Sequence, residues 1–266
     1  MKEVVLVLDL DDTLYNWMDA YAPGLDAQIT LIAKITKLSK RRIQQSFKEV
    51  FQRHCSVEVI DAARELDIWQ ETDLNQDAIN EIQQISNRAF LNTFSDNLTL
   101  FPNVKETLDW AIRNDILLIA CSDGRAYWIG FRLESLGIAD YFDRIYVMEN
   151  ETKTEDYGMR FDQMITLPEP LLKPNTYIIE EIIKDYHINR ESVYLVGDSK
   201  DKDIRTANNA GVNGVWAKYG KQYTQKSRRI LSSVTHWKRG QRLRGNNIIP
   251  KYIIEDFSEI KRIVKS

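Results

Sequence analysis

The stretch that decides the fold is VVLVLDLDDTL, residues 4–14. Its first five residues are apolar, which is typical of a strand buried on both faces in a parallel sheet. Three carboxylates follow within four residues, at Asp9, Asp11 and Asp12. Such a cluster is costly without a cation or a proton, and ligands of open α/β sheets bind at the carboxyl ends of strands. We therefore interpret it as a functional site; the alternative is an acidic turn in which Asp12 and Thr13 cap the next element.

The composition is that of an ordinary globular chain, with 43% hydrophobic and 28% charged residues among 266. This length suits one large domain, or a core with a smaller insertion. The formal net charge of −3 indicates no particular partner. No apolar run is long enough for a signal peptide or a membrane span, so we expect no membrane partner. Cys55 and Cys121 lack metal or redox spacing, so we expect reduced thiols in a cytoplasmic protein.

The segment from residue 15 to residue 98 has a helical pattern. Apolar residues recur at helical spacing in three stripes, which include Ile29, Phe47 and Ile82. Ser39 is placed to cap the second of these helices. We predict a small helical bundle, which could serve as a lid over the strand-end site.

Strands and helices alternate in the remainder of the chain. Further strands are predicted at residues 116–121, 144–148, 192–196 and 214–217. This alternation predicts an α/β fold with a parallel sheet and right-handed crossovers. The segment Glu149–Leu172 has little periodicity, so we predict a long loop there, with a hairpin near Tyr157–Phe161.

Residues that could complete a phosphoryl-transfer site lie at or before other strand ends. They are Ser122, Asp123, Gly124, Lys173, Asp198 and Asp203. Carboxylate oxygens suit Mg²⁺, whereas the chain offers no histidine and cysteine set for zinc. A lysine and a hydroxyl group would hold the oxygens of a phosphoryl group. One carboxylate can act as nucleophile, and a second can transfer the proton.

These groups, in this order along the chain, resemble the four motifs of the haloacid dehalogenase superfamily, in its phosphatase branch. The matching motifs are residues 9–14, Ser122, Lys173, and residues 197–199 with Asp203. The resemblance implies a Rossmann-like, doubly wound parallel core formed by residues 1–14 and 99–266. It also implies a small α-helical cap, formed by residues 15–98, inserted after the first strand.

The resemblance also implies a role for each site residue. Asp9 would be the nucleophile that forms an aspartyl-phosphate, and Asp11 the general acid and base. The residues that it places on the substrate phosphate are Ser122, Asp123, Gly124 and Lys173, with Lys153 as an alternative lysine. The residues that it places at Mg²⁺ are Asp9, Asp11 through its backbone carbonyl, Asp198, and Asp203, the last through water or by orienting Lys173. The dehalogenase members lack a carboxylate at the position of Asp11, so its presence favours phosphoryl chemistry.

We therefore predict a Mg²⁺-dependent phosphatase, a hydrolase of phosphoric monoesters. Its substrate would be a small phosphorylated metabolite, of the sugar phosphate, nucleotide or phosphoglycolate type. The alternatives are a phosphomutase with the same motifs, a non-catalytic binding scaffold, and a nucleic-acid end phosphatase. The last would use residues 218–244, which contain nine basic residues and no acidic ones. We expect that segment to be a solvated surface and nucleic acid not to be the partner.

Overall fold

The computed structural model describes residues 3–150, 161–220, 222–235 and 248–264. This part of the chain is organised around a seven-stranded sheet in which every neighbouring pair of strands is parallel. The strands are β1 (Val5–Leu8), β2 (Leu117–Arg125), β3 (Arg144–Met148), β4 (Met164–Leu167), β5 (Val193–Gly197), β6 (Asn213–Ala217) and β7 (Tyr252–Ile254). Their order is β4-β3-β2-β1-β5-β6-β7, so the direction of winding reverses beside β1. Ligands of such sheets bind at this switch point, outside the carboxyl ends of the strands.

Helices make up most of the remaining described structure. The α-helices are α1 (Trp17–Thr36), α2 (Lys40–Arg53), α3 (Gln76–Asn97), α4 (Val104–Arg113), α5 (Ala126–Leu136), α6 (Tyr177–Tyr186), α7 (Arg205–Ala210), α8 (Gln225–Val234) and α9 (Ile260–Ile263). Short 3₁₀ turns lie at Ala62–Glu65, Asp67–Glu71, Ala139–Tyr141, Glu169–Leu171, Arg190–Ser192 and Phe257–Glu259, and a π-helical turn lies at Lys200–Ile204. Among the described residues, none of the helices has the length and apolar character that crossing a bilayer requires.

Strand β1 is buried on both faces, as its unbroken apolar run predicted. Val5 and Val7 belong to a core cluster that includes Ile178 and Ile182 of α6. Leu6 and Leu8 point to the other face by strand alternation, and they are also buried. The α/β, Rossmann-like parallel core predicted from the sequence is confirmed.

The chain divides into two compact units. Unit 1 contains Met1–Asn16, Thr99–Gln222 and Asn246–Ser266, and it includes the whole sheet. Its first segment extends to Asn16 because the Asn16 N–H donates to the Thr99 carbonyl, 3.2 Å away, and the Thr99 N–H donates to the Asn16 side chain, 2.8 Å away.

Unit 2 is helical and contains Trp17–Leu98 together with α8. The predicted boundaries assigned residues 99–266, and with them α8, to the core, whereas the contacts of α8 place it in unit 2. One such contact joins Asp19, on α1, to Thr224, which caps α8: the Asp19 carboxylate accepts hydrogen bonds from the N–H and hydroxyl of Thr224. The helices α1 and α3 pack closely at Gly24, which has no side chain. A Cβ at this position would lie 2.9 Å from the Phe90 carbonyl oxygen. The predicted N-cap of α2 is confirmed, because the Ser39 hydroxyl accepts from the Arg42 N–H.

The prediction of a long loop over Glu149–Leu172 is wrong in one part, because Met164–Leu167 forms the edge strand β4. This strand is only four residues long and has mixed burial, so neither an apolar run nor a clean alternation marks it in the sequence. The predicted hairpin near Tyr157–Phe161 lies mostly outside the described residues. The stretch that contains Ile253, for which no strand was predicted, forms the opposite edge, β7.

Candidate active site

Asp9 lies at the carboxyl end of β1, beside the switch point of the sheet. Its N–H donates to the carbonyl of Val196 on β5, at 2.9 Å, which fixes the backbone at the strand end. Its buried carboxylate accepts one hydrogen bond on each oxygen. Oδ1 accepts from Nζ of Lys173 at 2.6 Å, and Oδ2 accepts from the hydroxyl of Thr13 at 2.9 Å. Asp9 is therefore oriented from two sides.

Lys173 is the buried cation of this site. Its Nζ donates to Oδ1 of Asp203 at 2.6 Å as well as to Asp9. The backbone N–H of Lys173 donates to Oδ1 of Asp123 at 3.2 Å, which connects the segment that carries Lys173 to β2. Burial by itself lowers the pKa of the Lys173 ammonium, but the charges of Asp203 and Asp9 raise it, and the result lies well above its ordinary value. The side chain therefore stays charged at neutral pH.

Asp203 is held by the turn that follows β5. Its Oδ2 accepts from the Ser199 N–H at 2.9 Å, while Oδ1 contacts Lys173. The close approach requires a glycine at position 197, because a Cβ there would lie 2.2 Å from Cγ of Asp203. Burial raises the pKa of the Asp203 carboxyl to about 7, and the nearby charge of Asp9 adds to this shift although Lys173 opposes it.

Thr13 links the first and last motifs of the site. Its side chain is fully buried. The hydroxyl donates to Asp9 and accepts from the backbone N–H of Asp198 at 3.0 Å. The carbonyl of Asp198 in turn accepts from the indole N–H of Trp216 at 2.9 Å. The sequence suggested only a capping role for Thr13, because nothing in the sequence indicated that its hydroxyl bridges two strand ends.

The carboxylates of Asp9, Asp198 and Asp203 form an acidic cluster in which the three ligand atoms lie within 4.8 Å of one another. Lys173 contacts two of the three, Asp9 and Asp203. Three closely spaced carboxylate donors fit a hard divalent cation such as Mg²⁺. The side chain of Asp11 is not part of this cluster.

The predicted group Ser122, Asp123 and Gly124 lies within the last part of β2 and not after it. The pairing of β2 with β3 shifts register between Cys121 and Arg125, so these residues lie in an irregular strand end. The buried Ser122 hydroxyl accepts from the Gly124 N–H at 3.0 Å. The Asp123 carboxylate pairs with Nζ of Lys202, 2.7 Å away, in addition to the Lys173 N–H. Because that carboxylate would repel a phosphate, only the backbone of Asp123 suits the predicted phosphate contact.

Asp11 pairs with a residue that the sequence did not indicate. Arg132, on α5, places Nε 3.0 Å from Oδ1 of Asp11 and Nη2 3.1 Å from Oδ2. The fully buried Tyr15 lies beside Asp11 and Arg132. Burial is the largest cause that raises the pKa of the Tyr15 phenol well above its ordinary value, and the charge of Asp11 is the second. Tyr15 is therefore neutral.

The alternative lysine, Lys153, lies outside the described residues.

The match to known families spans the residues of this site. Residues 4–211 match the family model described as haloacid dehalogenase-like hydrolase, and residues 171–260 match a related HAD-hydrolase-like model. The chain therefore belongs to the haloacid dehalogenase-like hydrolase family, and the family prediction is confirmed.

Individual relatives are more distant. The chain is 28% identical over 131 residues to pyrimidine 5′-nucleotidase YjjG of Escherichia coli (strain K12), covering 49% of this chain and 50% of that protein. It is 26% identical over 133 residues to glyceraldehyde 3-phosphate phosphatase of Pyrococcus furiosus, covering 50% and 48%. The matched part thus spans about half the length of these curated relatives.

A solved structure of 2-haloacid dehalogenase from Pseudomonas syringae pv. Tomato DC3000 has a similar fold. The TM-score is 0.61, with 18% identity, over 99% of this chain and 98% of that one. At this identity the similarity shows the fold alone.

Proposed function

We propose that the protein is a Mg²⁺-dependent phosphatase that hydrolyses a small phosphorylated metabolite through an aspartyl-phosphate on Asp9. One observation carries this proposal. The buried ammonium of Lys173 lies 2.6 Å from both Asp9 and Asp203, inside the acidic cluster that Asp198 completes at the switch point of the sheet. Family membership and two relatives named as a nucleotidase and a phosphatase support it.

In the first step, a carboxylate oxygen of Asp9 attacks phosphorus, and the bond from phosphorus to the leaving oxygen breaks. Asp11 gives its proton to that oxygen, which leaves as an alcohol. Lys173 and Ser122, with backbone N–H groups at the end of β2, would bind the remaining phosphoryl oxygens. The contacts of Thr13 and Lys173 hold the nucleophile in place before substrate arrives.

In the second step, Asp11 takes a proton from water, and the water oxygen attacks phosphorus. The acyl-phosphate bond breaks, inorganic phosphate is released and the Asp9 carboxylate is regenerated. Asp11 thereby recovers the proton that it lost in the first step, so the cycle balances without a co-reactant. The same side chain serves as acid and then as base.

Asp9, Asp198 and the Asp11 backbone carbonyl would hold Mg²⁺, with Asp203 binding it through water or orienting Lys173. When bound, Mg²⁺ would offset the charge that the phosphoryl group brings to this acidic site. The fit rests on the donor set, because three carboxylates place ligand atoms within 4.8 Å of one another.

The names of the two curated relatives suggest the substrate class. Pyrimidine nucleotides and triose phosphates are both small phosphomonoesters of alcohols. An alcohol is a poor leaving group without a proton, so this class makes use of Asp11. We propose a nucleoside monophosphate or a sugar phosphate as substrate.

The test is phosphate release from a panel of such esters, measured with and without Mg²⁺. We expect turnover of at least one ester, which is lost with EDTA and restored by Mg²⁺. Asp9→Asn should abolish it, whereas Asp12→Asn, the matched change three residues away, should retain most of it. Equal release by wild type and Asp9→Asn, or activity that survives EDTA, would contradict the proposal.

A further inference from the structure

Arg132 is a charged side chain with no exposed surface, on the inner face of α5 between the buried residues Ile129 and Leu133. A guanidinium in such a place is costly unless a counter-charge and hydrogen bonds compensate it. Asp11 supplies the counter-charge, and its own side chain is 21% exposed. The pair therefore has one end buried in the core, at Arg132, and one end partly exposed, at Asp11.

The contact fixes the plane of the Asp11 carboxylate. Nε faces Oδ1 at 3.0 Å and Nη2 faces Oδ2 at 3.1 Å, so rotation of the carboxylate would break both contacts. The hydrogen bond from Nη2 occupies one lone-pair site of Oδ2, whereas the contact between Nε and Oδ1 is an ion pair without hydrogen-bond geometry.

Gly124 leaves the space that this arrangement needs. A Cβ at position 124 would lie 3.0 Å from Nη2 of Arg132 and 2.7 Å from Cδ1 of Ile129. The strand end that carries Ser122 therefore passes directly against the Arg132 side chain. Asp9 and Asp11 also have separate cations, Lys173 for the first and Arg132 for the second.

We infer that Arg132 is a positioning residue, which holds the Asp11 carboxylate in the orientation for proton transfer to the leaving oxygen and from water. Arg132 acts through Asp11 and does not itself contact the reacting atoms. This inference rests on the proposed function, in which Asp11 is the acid and base.

The test compares two leaving groups. p-Nitrophenolate leaves from phosphorus without a proton, whereas the alkoxide of a sugar phosphate needs one, so only the second depends on a well-placed acid. We expect Arg132→Met to lower kcat/KM for the alkyl ester by at least about 10-fold more than for p-nitrophenyl phosphate, which is part of the roughly 10²–10⁴-fold that acid–base catalysis contributes. Arg132→Lys keeps the charge but not the two-point contact, and it should give an intermediate loss.

Two controls separate positioning from folding. Arg144→Met removes another arginine–aspartate pair of unit 1, that with Asp185, and should leave the ratio of the two substrates unchanged. In an Asp11→Asn background, adding Arg132→Met should cause no further change in that ratio, because the residue through which it acts is gone. If Arg132→Met does not fold, as judged by urea unfolding, Arg132→Lys carries the comparison.

Equal losses for both esters, or a change of ratio that persists in the Asp11→Asn background, would overturn the inference. Absence of phosphate release by the wild-type protein from every ester would instead overturn the proposed function, and the inference with it. Normal wild-type turnover with an unchanged ratio in both Arg132 variants would overturn the inference alone.

Discussion

Replacement of Lys173 by methionine removes the cation of the acidic cluster. Nζ is 2.6 Å from Oδ1 of Asp9 and 2.6 Å from Oδ1 of Asp203, and these three side chains are 3%, 9% and 1% exposed. Breaking a buried ion pair by removing one partner costs about 3–5 kcal/mol, because the remaining charge is left uncompensated. We expect the free energy of unfolding of unit 1 to fall by about this amount in Lys173→Met, at about pH 8 and without metal.

The size of this loss should depend on pH. Burial, together with the charges of Asp9 and Asp198, raises the pKa of Asp203 to about 7 although Lys173 is present. A carboxyl whose pKa is raised by folding binds more protons in the folded state, so its stabilising contribution exists at low pH and is lost as the pH rises through about 7. Without Lys173 the protonated form should be favoured still more, so the loss should be smaller at about pH 5 than at about pH 8.

The assay is urea unfolding, with hydrogen exchange of peptides from β1 and β5 to report on unit 1. Lys202→Met is the matched control, because Lys202 pairs with Asp123 at 2.7 Å but its side chain is 54% exposed. Exposed pairs contribute about 0–1 kcal/mol. Equal losses in Lys173→Met and Lys202→Met would refute the reasoning that burial makes the Lys173 contacts strong.

Three further predictions concern the same site. Thr13→Val keeps the side-chain shape but leaves Asp9 and the Asp198 N–H each without one hydrogen bond, so stability should fall by about 1–3 kcal/mol in urea unfolding, and an unchanged midpoint would contradict this. Gly197→Ala introduces a Cβ that would lie 2.2 Å from Cγ of Asp203. Mg²⁺ affinity measured by calorimetry should therefore weaken at least about 10-fold, which is within the range for residues that support a metal site. Wild-type affinity in this variant would contradict the prediction. Mg²⁺ should raise the melting temperature more at about pH 8 than at about pH 6, because a proton on Asp203 competes with the cation; a larger increase at the lower pH would contradict the raised pKa.

Much of the core could be predicted because its signals are local. The five apolar residues before Asp9 form a strand buried on both faces, and the carboxyl ends of parallel strands meet at one edge. That geometry brings Asp9 and Asp203 to the same lysine, although they are far apart in the chain. Ser39 is likewise a local signal, since a cap and its helix are adjacent in sequence.

The remaining features depend on contacts that no local pattern contains. Arg132 lies 121 residues from Asp11 along the chain and occupies a helix position that is equally compatible with a solvated surface. Burial of the Thr13 hydroxyl between two strand ends depends on the register of β1 and β5. Helix α8 lies between the core strands β6 and β7 in sequence, yet it packs against α1 and α2. Prediction of these features requires the tertiary structure.

The central claim is that Asp9 carries the phosphoryl group. In Asp11→Asn the base that activates water is absent, so the aspartyl-phosphate formed from p-nitrophenyl phosphate and Mg²⁺ should accumulate. We expect a burst of about one p-nitrophenolate per chain, as in other enzymes that accumulate a covalent intermediate. Acid quenching and borohydride reduction should then convert Asp9 to homoserine, as detected by peptide mass spectrometry. Turnover by the wild-type protein without modification of Asp9 in the trapped variant, or modification of a different carboxylate, would contradict the account.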